Sequence, residues 1–263
     1  MVDTVVGMMW NRNEGDILED TLTAALKKVD TLFIADDNST DNSWDIIQAH
    51  SSEIEYMRNC REVPGDVGSR QVLLNEIRKR YKPENTWVQI IESDIMILDT
   101  DIREAISGWA VDDLGVTWQL LNAARKPGTW GEVSYPNWDK PIQEVMPYAH
   151  LVEYMLYTYR PLPGLTYTGD FWRPWPNGFA KYVKNFPLKR GRKGLTSPLL
   201  AHYGFRGPVH FKKKYGNKKF RKYPSWDLTS VETIEDTVYY FNGVWNGSLF
   251  DMSREGWRKF RKG

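Results

Sequence analysis

Leu32-Phe33-Ile34-Ala35-Asp36-Asp37-Asn38-Ser39-Thr40-Asp41 is the stretch from which the fold is read. Its unbroken apolar run suits a strand buried on both faces, as strands of parallel sheets are. The run stops at two adjacent carboxylates. Asn38, Ser39, Thr40 and Asp41 then supply the short polar side chains that begin helices, with Asp41 or Ser39 expected as the cap. Ligands of open α/β sheets bind beyond the carboxyl ends of the strands, which makes Asp36 and Asp37 candidate site residues. The arrangement returns at Trp87-Val88-Gln89-Ile90-Ile91, which runs into Glu92-Ser93-Asp94. Two strand ends that both carry acid suggest a cation, or a ligand that brings one.

The same alternation extends to either side. Residues 5–10 read as a first buried strand, followed by the polar turn Asn11-Arg12-Asn13-Glu14. Ile17, Leu18, Leu22, Ala25, Leu26 and Val29 recur at helical spacing and predict a helix of about three to four turns. A short third strand is expected over 54–57. Gly65-Asp66-Val67-Gly68-Ser69 opens a helix with Leu73, Leu74 and Ile77 inward, Asp99-Thr100-Asp101 caps another, and 116–121 is a further strand. Strands alternating with helices imply an α/β chain with a mostly parallel sheet and helices on both faces. Beyond residue 122 the texture changes, with Pro127, Pro136, Pro141, Pro147, Pro161, Pro163, Pro174 and Pro176 among aromatics and glycines. This half is expected to be loop-rich, with short strands such as 148–159, and to recognise an acceptor. Thr229-Ser230-Val231-Glu232 is a helix start signal, so 226–263 is expected to be a helical extension.

A chain of 263 residues, 41% hydrophobic and 26% charged, can build one large α/β domain. It shows no secretory signature and no apolar run near the roughly 20 residues that cross a bilayer. Its one cysteine, Cys60, fits a reducing compartment. A soluble, cytoplasmic protein without a membrane span is the expectation. The net charge of +1 conceals a segregation: residues 1–113 carry 23 acidic against 11 basic side chains, whereas 181–222 carry 14 basic and no acidic ones. That pattern can join a metal-binding acidic half to an anion-binding segment. Of the 12 tryptophans, Trp10, Trp44, Trp87 and Trp118 sit in apolar patterns and are expected in the core. Trp130, Trp138, Trp172, Trp175 and Trp226 lie among Gly, Pro and polar residues and suit a cleft.

A nucleotide diphosphate is the simplest ligand that accounts for both acidic strand ends. It needs a divalent cation such as Mg²⁺ or Mn²⁺, and such cations prefer carboxylate oxygen. Asp94, with Glu92 beside it, would make that contact. Asp36 and Asp37 are suited to a base or ribose, because ionised carboxylates accept hydrogen bonds and both ligands offer donors.

The run 34–41 resembles the strand-end motif of family 2 glycosyltransferases, which have the GT-A fold. Arg12-Asn13-Glu14 resembles the turn of one branch of that family, and Glu92-Ser93-Asp94 is similar to its Asp-x-Asp metal motif. Gly68-Ser69-Arg70 and Asn75 fall where the family places an arginine near the nucleotide. Arg160 through Tyr167, and His202-Tyr203-Gly204 before a Lys-rich stretch, look like late family features. The resemblance spans roughly residues 3–225 and is specific in the first 100 or so. It implies that Asp37 contacts the base, with Asp36, Arg12, Glu14 and Ser93 around the nucleotide, and that Arg70 helps hold it. It implies Asp94 as the main metal ligand, Glu92 assisting, and His202 completing the metal or diphosphate site. Residues 1–122 would form the nucleotide-sugar-binding half and 123–225 the acceptor-binding half. Two departures stand out: Glu replaces the first Asp of the metal motif, and the family's later Glu-Asp pair is not recognisable.

The family reaction is inverting sugar transfer, here from a nucleotide-diphosphate sugar, a UDP-sugar being the expected donor. A general base takes the acceptor proton while the metal and nearby cations stabilise the departing diphosphate. Asp170, between Gly169 and Phe171, is the preferred base, with Asp139 and Glu153 as runners-up. Lys189, Arg190, Arg192 and Lys193 form a basic loop able to close over the phosphates. Two other readings stay open. A sugar nucleotidyltransferase would need a Gly-rich loop after the first strand, which Trp10-Asn11-Arg12-Asn13 is not. A nucleic-acid-binding module would use the basic, aromatic-interleaved segment 181–223, and the acceptor itself could be a glycan, a protein or a nucleic acid.

Overall fold

The computed structural model describes residues 3–58, 66–97, 101–110, 115–124, 148–167, 174–176, 199–203 and 250–251. The chain divides into two compact units. The first takes in residues 1–118 and 155–192, and the second 119–154 and 193–263.

In the first unit the expected alternation is present. β1 (Thr4–Asn11), α1 (Leu18–Leu26), β2 (Thr31–Asp36), α2 (Ser43–Ala49), β3 (Glu55–Arg58), α3 (Asp66–Arg80) and β4 (Thr86–Glu92) follow in order. β1 pairs in parallel with β2 on one side and β4 on the other, and β3 pairs in parallel with β2. The strand sequences explain this arrangement: β1, β2 and β4 are nearly continuous apolar runs, and β4 is buried along its whole length. β3, at the sheet's edge, is mostly exposed and carries Glu55 and Arg58, charges that discourage further strand pairing. α3 packs on β1 and β2 through Leu73, Leu74 and Ile77, all fully buried as expected. Each such side chain contributes about 1.5–3 kcal/mol by leaving water.

Several expectations shift by a turn or less. α1 spans only nine residues because Ile17 is its N-cap. α2 begins after Asn42, not at Asp41 or Ser39. Asp41 still serves the helix start, since its Oδ1 accepts from the Ser43 amide at 3.0 Å. Asp101 is the N-cap of α4 (Ile102–Trp109), accepting from the amides of Arg103 and Glu104, as expected. β5 (Ile95–Ile97), a three-residue strand after β4, is too short for a periodicity reading. Trp87 and Trp118 are fully buried core residues, whereas Trp10 and Trp44 keep part of their surface in solvent.

β6 (Gly115–Ala124) continues the alternation. β7 (Tyr148–Tyr159) has the bounds expected from sequence, 12 residues, and it pairs antiparallel with β4 at Val88 and Gln89. A buried chain of polar groups ties these strands: Trp118 Nε1 donates to Thr158 Oγ1, and Thr158 Oγ1 donates to Gln89 Oε1. β8 (Leu165–Tyr167) pairs antiparallel with β9 (Pro174–Pro176). Arg78 of α3 fastens the segment between β7 and β8 by donating to the carbonyls of Pro161, Leu162 and Leu165. In the second unit, β10 (Leu199–His202) pairs in parallel with β6, and β11 (Phe250–Asp251) pairs antiparallel with β7. β11 is the described part of the 226–263 extension and is strand; the rest of that extension lies outside the described residues. No helix among the described residues is long and apolar enough to cross a membrane.

His50, just past α2, ties α1 to α2. Its Nε2 lies 2.9 Å from Glu19 and its Nδ1 2.9 Å from Glu53, so only the imidazolium can donate to both carboxylates. Burial works against the charged ring, but the hydrogen bonds to Glu19 and Glu53 outweigh it and raise the pKa above the ordinary 6.5. A raised folded-state pKa adds stability below the unfolded value and loses it as pH climbs through the folded one. Thermal unfolding should therefore show stability falling as pH rises above about 6.5. The loss should be no more than about 1 kcal/mol, since both carboxylates are largely in water, and it should be absent in His50→Gln.

Candidate active site

The carboxyl ends of β1, β2 and β4 lie side by side. Asn11 is opposite Asp36 and Trp10 is opposite both Ala35 and Glu92. Eight of the residues singled out from sequence are thereby gathered at one sheet edge: Arg12, Glu14, Asp36, Asp37, Arg70, Glu92, Ser93 and Asp94. All but Arg12 are buried.

Asp36 is completely buried and engaged inside the protein. Its Oδ1 accepts from Asn11 Nδ2 at 2.9 Å and from Ser39 Oγ, its Oδ2 accepts from the Ser39 amide at 3.0 Å, and Arg58 Nε lies 3.6 Å away. Arg58 in turn lies over the Trp44 ring, 4.6 Å from its centroid. The loops after β1 and β2 brace one another around this carboxylate. Ser39 Oγ accepts from the Asn13 amide, Asn13 Oδ1 accepts from the Thr40 amide at 2.7 Å, and the Gly15 amide donates to Asp41 Oδ2. Asn13 and Asn38 both take the left-handed backbone conformation, at φ +55 and +53, which asparagine tolerates better than most residues. Gly15 has no room for a side chain, since a Cβ there would stand 2.1 Å from Asn42 Oδ1 and 3.0 Å from the Ser43 amide nitrogen.

Asp37 differs from its neighbour. Its amide donates to the Asn11 carbonyl at 2.9 Å, and its carboxylate meets Arg12 Nη1 at 3.1 Å, a guanidinium about half in solvent. Glu14 starts α1 through its main chain, its carbonyl accepting from the amides of Ile17 and Leu18. Ser93 is held by its backbone: its amide donates to the Trp10 carbonyl and its carbonyl accepts from Thr21 Oγ1 at 2.8 Å.

At the end of β4 the two acids are placed differently. Glu92 pairs with Arg70 of α3, Oε1 to Nη2 at 3.5 Å, and Arg70 also lies over the Trp10 ring at 5.9 Å. Asp94 is buried in the turn between β4 and β5. No three His, Cys, Asp or Glu side chains among the described residues are grouped as a metal cage. Two buried polar atoms at the end of β1, Trp10 Nε1 and Asn11 Oδ1, have no hydrogen-bond partner among the described residues. Buried polar atoms are nearly always satisfied, so this edge has bonding capacity in reserve.

His202 is buried on β10 in the second unit, opposite Asn122. Asp139 and Asp170 lie outside the described residues, as does the basic segment 181–223 apart from 199–203. Sequence reading missed Asn11, Ser39 and Arg58, which hold Asp36. It also missed two buried phenols, Tyr159 and Tyr167, whose hydroxyls meet at 3.0 Å. Burial pushes both phenols up, Tyr159 well above its ordinary value, so each stays a neutral hydroxyl.

The sequence model of glycosyl transferase family 2 matches residues 8–152, just over half of the chain and including every strand end of the site. This chain belongs to glycosyl transferase family 2. The mostly parallel sheet with packed helices is the GT-A architecture expected from sequence. No curated protein matches this family 2 chain. Among solved structures it is similar to residues 1–349 of S. aureus TarS, with 17% identity over 51% of this chain and 38% of that one, at a TM-score of 0.34. A second similar structure is the glucosyl-3-phosphoglycerate synthase of Mycobacterium tuberculosis in complex with Mn²⁺ and UDP-glucose, with 21% identity over 36% of this chain and 34% of that one, at 0.28. A third is a 4-diphosphocytidyl-2C-methyl-D-erythritol synthase, with 6% identity, 61% and 76% coverage, and 0.39. The family 2 chain thus spans well under half of the TarS chain it matches.

The bonds around Asp36 set an order of mutational costs in this family 2 chain. Asp36→Asn turns one oxygen that accepts from Asn11 or Ser39 into a donor facing a donor. It should cost about 3 kcal/mol in a denaturant titration. Ser39→Ala should cost about 1 kcal/mol and Arg12→Ala no more than about 1 kcal/mol, since that guanidinium is half in water.

Proposed function

We propose that this family 2 chain is a divalent-cation-dependent glycosyltransferase that moves a sugar from a nucleotide diphosphate to an acceptor hydroxyl. The observation that supports the reading is that Asp37 and Asp94 follow the parallel ends of β2 and β4, the strands on either side of β1. Asp37 stands at the ligand edge, backed by Arg12, and can accept from the donor groups of a base or ribose. A UDP-sugar is the donor we expect. Asp36 keeps its neighbour in place and binds the nucleotide only through that support.

Asp94 would hold the cation, Mn²⁺ or Mg²⁺, together with diphosphate oxygens of the donor. Bound there, the cation would offset negative charge on the departing diphosphate. Arg70, buried near the same edge, adds a fixed positive charge, and such charges act most strongly where water is excluded. Asp170, with Asp139 as the alternative, is proposed as the base that takes the acceptor proton, so that the acceptor oxygen attacks C1 from the face opposite the diphosphate and inverts the sugar.

The test is a panel of nucleotide sugars with Mn²⁺ or Mg²⁺, following release of nucleoside diphosphate. One donor should be hydrolysed slowly without acceptor, and chelation should stop the reaction. Asp94→Ala should lower the rate by about a hundredfold or more. Asp37→Ala should raise KM for the donor about tenfold, the cost of one hydrogen bond to a charged group. Release of no diphosphate from any donor, with no thermal stabilisation by any nucleotide, would remove the enzyme reading.

A further inference from the structure

Glu92 occupies the place where the sequence motif for the cation has its first acid, yet its carboxylate is turned to a different partner. It is buried at 6% exposure and lies 3.5 Å from Arg70, itself buried at 2%. A buried guanidinium is costly unless an opposite charge meets it, and Trp10 offers only its ring face. The helix α3, which carries Arg70, is held from outside as well. Gln71 accepts from the Tyr167 amide at 2.7 Å, and Arg78 grips the carbonyls of residues 161, 162 and 165. Arg70 is therefore fixed in place by its helix and by its counter-ion.

We propose that Glu92 is a positioning residue that holds Arg70 toward the donor phosphates, and that it does not ligate the cation. The proposal rests on the reading of this edge as a nucleotide-sugar site. It accounts for the glutamate at this position: β4 and α3 are separate elements, and the extra methylene lets the carboxylate of a strand residue reach an arginine on the helix. Aspartate would fall short. The cation then depends on Asp94 and on oxygen from the donor. Glu92 instead supports the part of nucleotide binding that needs no metal.

The experiment is a calorimetric titration with UDP, once in EDTA and once in Mn²⁺. The proteins are the wild type, Glu92→Gln, Arg70→Gln, Asp94→Asn, and the pairs Glu92→Gln/Arg70→Gln and Glu92→Gln/Asp94→Asn. Glu92→Gln should weaken UDP binding in EDTA about tenfold. It should do so to the same extent as Arg70→Gln and with no further loss in their pair. The factor by which Mn²⁺ strengthens UDP binding should survive in Glu92→Gln and vanish in Asp94→Asn. Melting temperature should be lower in Glu92→Gln, which removes one carboxylate from beside the buried guanidinium, and should recover in the pair with Arg70→Gln. If Glu92→Gln does not fold, that pair still decides, because it removes both charges and should retain the Mn²⁺ factor. The proposal is overturned if Glu92→Gln, or the pair, loses the Mn²⁺ factor while binding in EDTA is unchanged. If the wild type binds no UDP under either condition, the nucleotide-sugar reading falls and takes this role with it.

Discussion

A single buried carboxylate, that of Asp36, fixes the geometry on which this sheet edge depends. Asp36 is fully desolvated at the end of β2 and could not remain charged there without donors. It takes them from the end of β1, through Asn11, from its own loop, through Ser39, and from β3, through Arg58. Satisfying one charge thus holds three strands level at their carboxyl ends. The loops that follow inherit that constraint, and Asn13, Ser39 and Asp41 bond across between them. Asp37 comes one residue later, so its position is set by this neighbour.

Charge at this edge is distributed by the same rule. Each buried acid whose partner is seen is matched to a cation on a different element: Asp36 to Arg58, Asp37 to Arg12, Glu92 to Arg70. Ion pairs of this kind contribute little to net stability, because desolvation offsets most of their attraction. Their value is in geometry, since each pins a side chain that would otherwise sample many rotamers. Tyr159 and Tyr167 add no charge, because burial keeps both phenols neutral. The result is a preformed acidic and basic edge, which suits binding of a phosphate ester with its counter-cation.

Much of this was legible in the sequence, because parallel strands and their acidic ends are local signals. The run Leu32–Asp41 gave the strand, the turn and the candidate aspartates within ten residues. Leu73, Leu74 and Ile77 gave the inward face of α3. What could not be read is long-range. Asp36 and Asp37 look equivalent in a string of letters, and only the contacts show that Asp36 meets Asn11 and Arg58 while Asp37 meets Arg12. Glu92 looks like a metal ligand by spacing, while its pairing with Arg70 depends on how α3 lies against β4. The bounds of β7 were legible, whereas its antiparallel pairing with β4 was not. The proposed base, Asp170, belongs to a part of the chain where neither local pattern nor described contacts bring it to the edge.

The most direct measurement is a crystal structure of the protein with UDP and Mn²⁺. The account predicts the uracil or ribose against the Asp37 carboxylate, the diphosphate near Arg70, and Mn²⁺ bonded to Asp94 and to phosphate oxygen. The Asp36, Asn11 and Ser39 bonds should be unchanged. UDP bound elsewhere, or Mn²⁺ on residues that exclude Asp94, would contradict it.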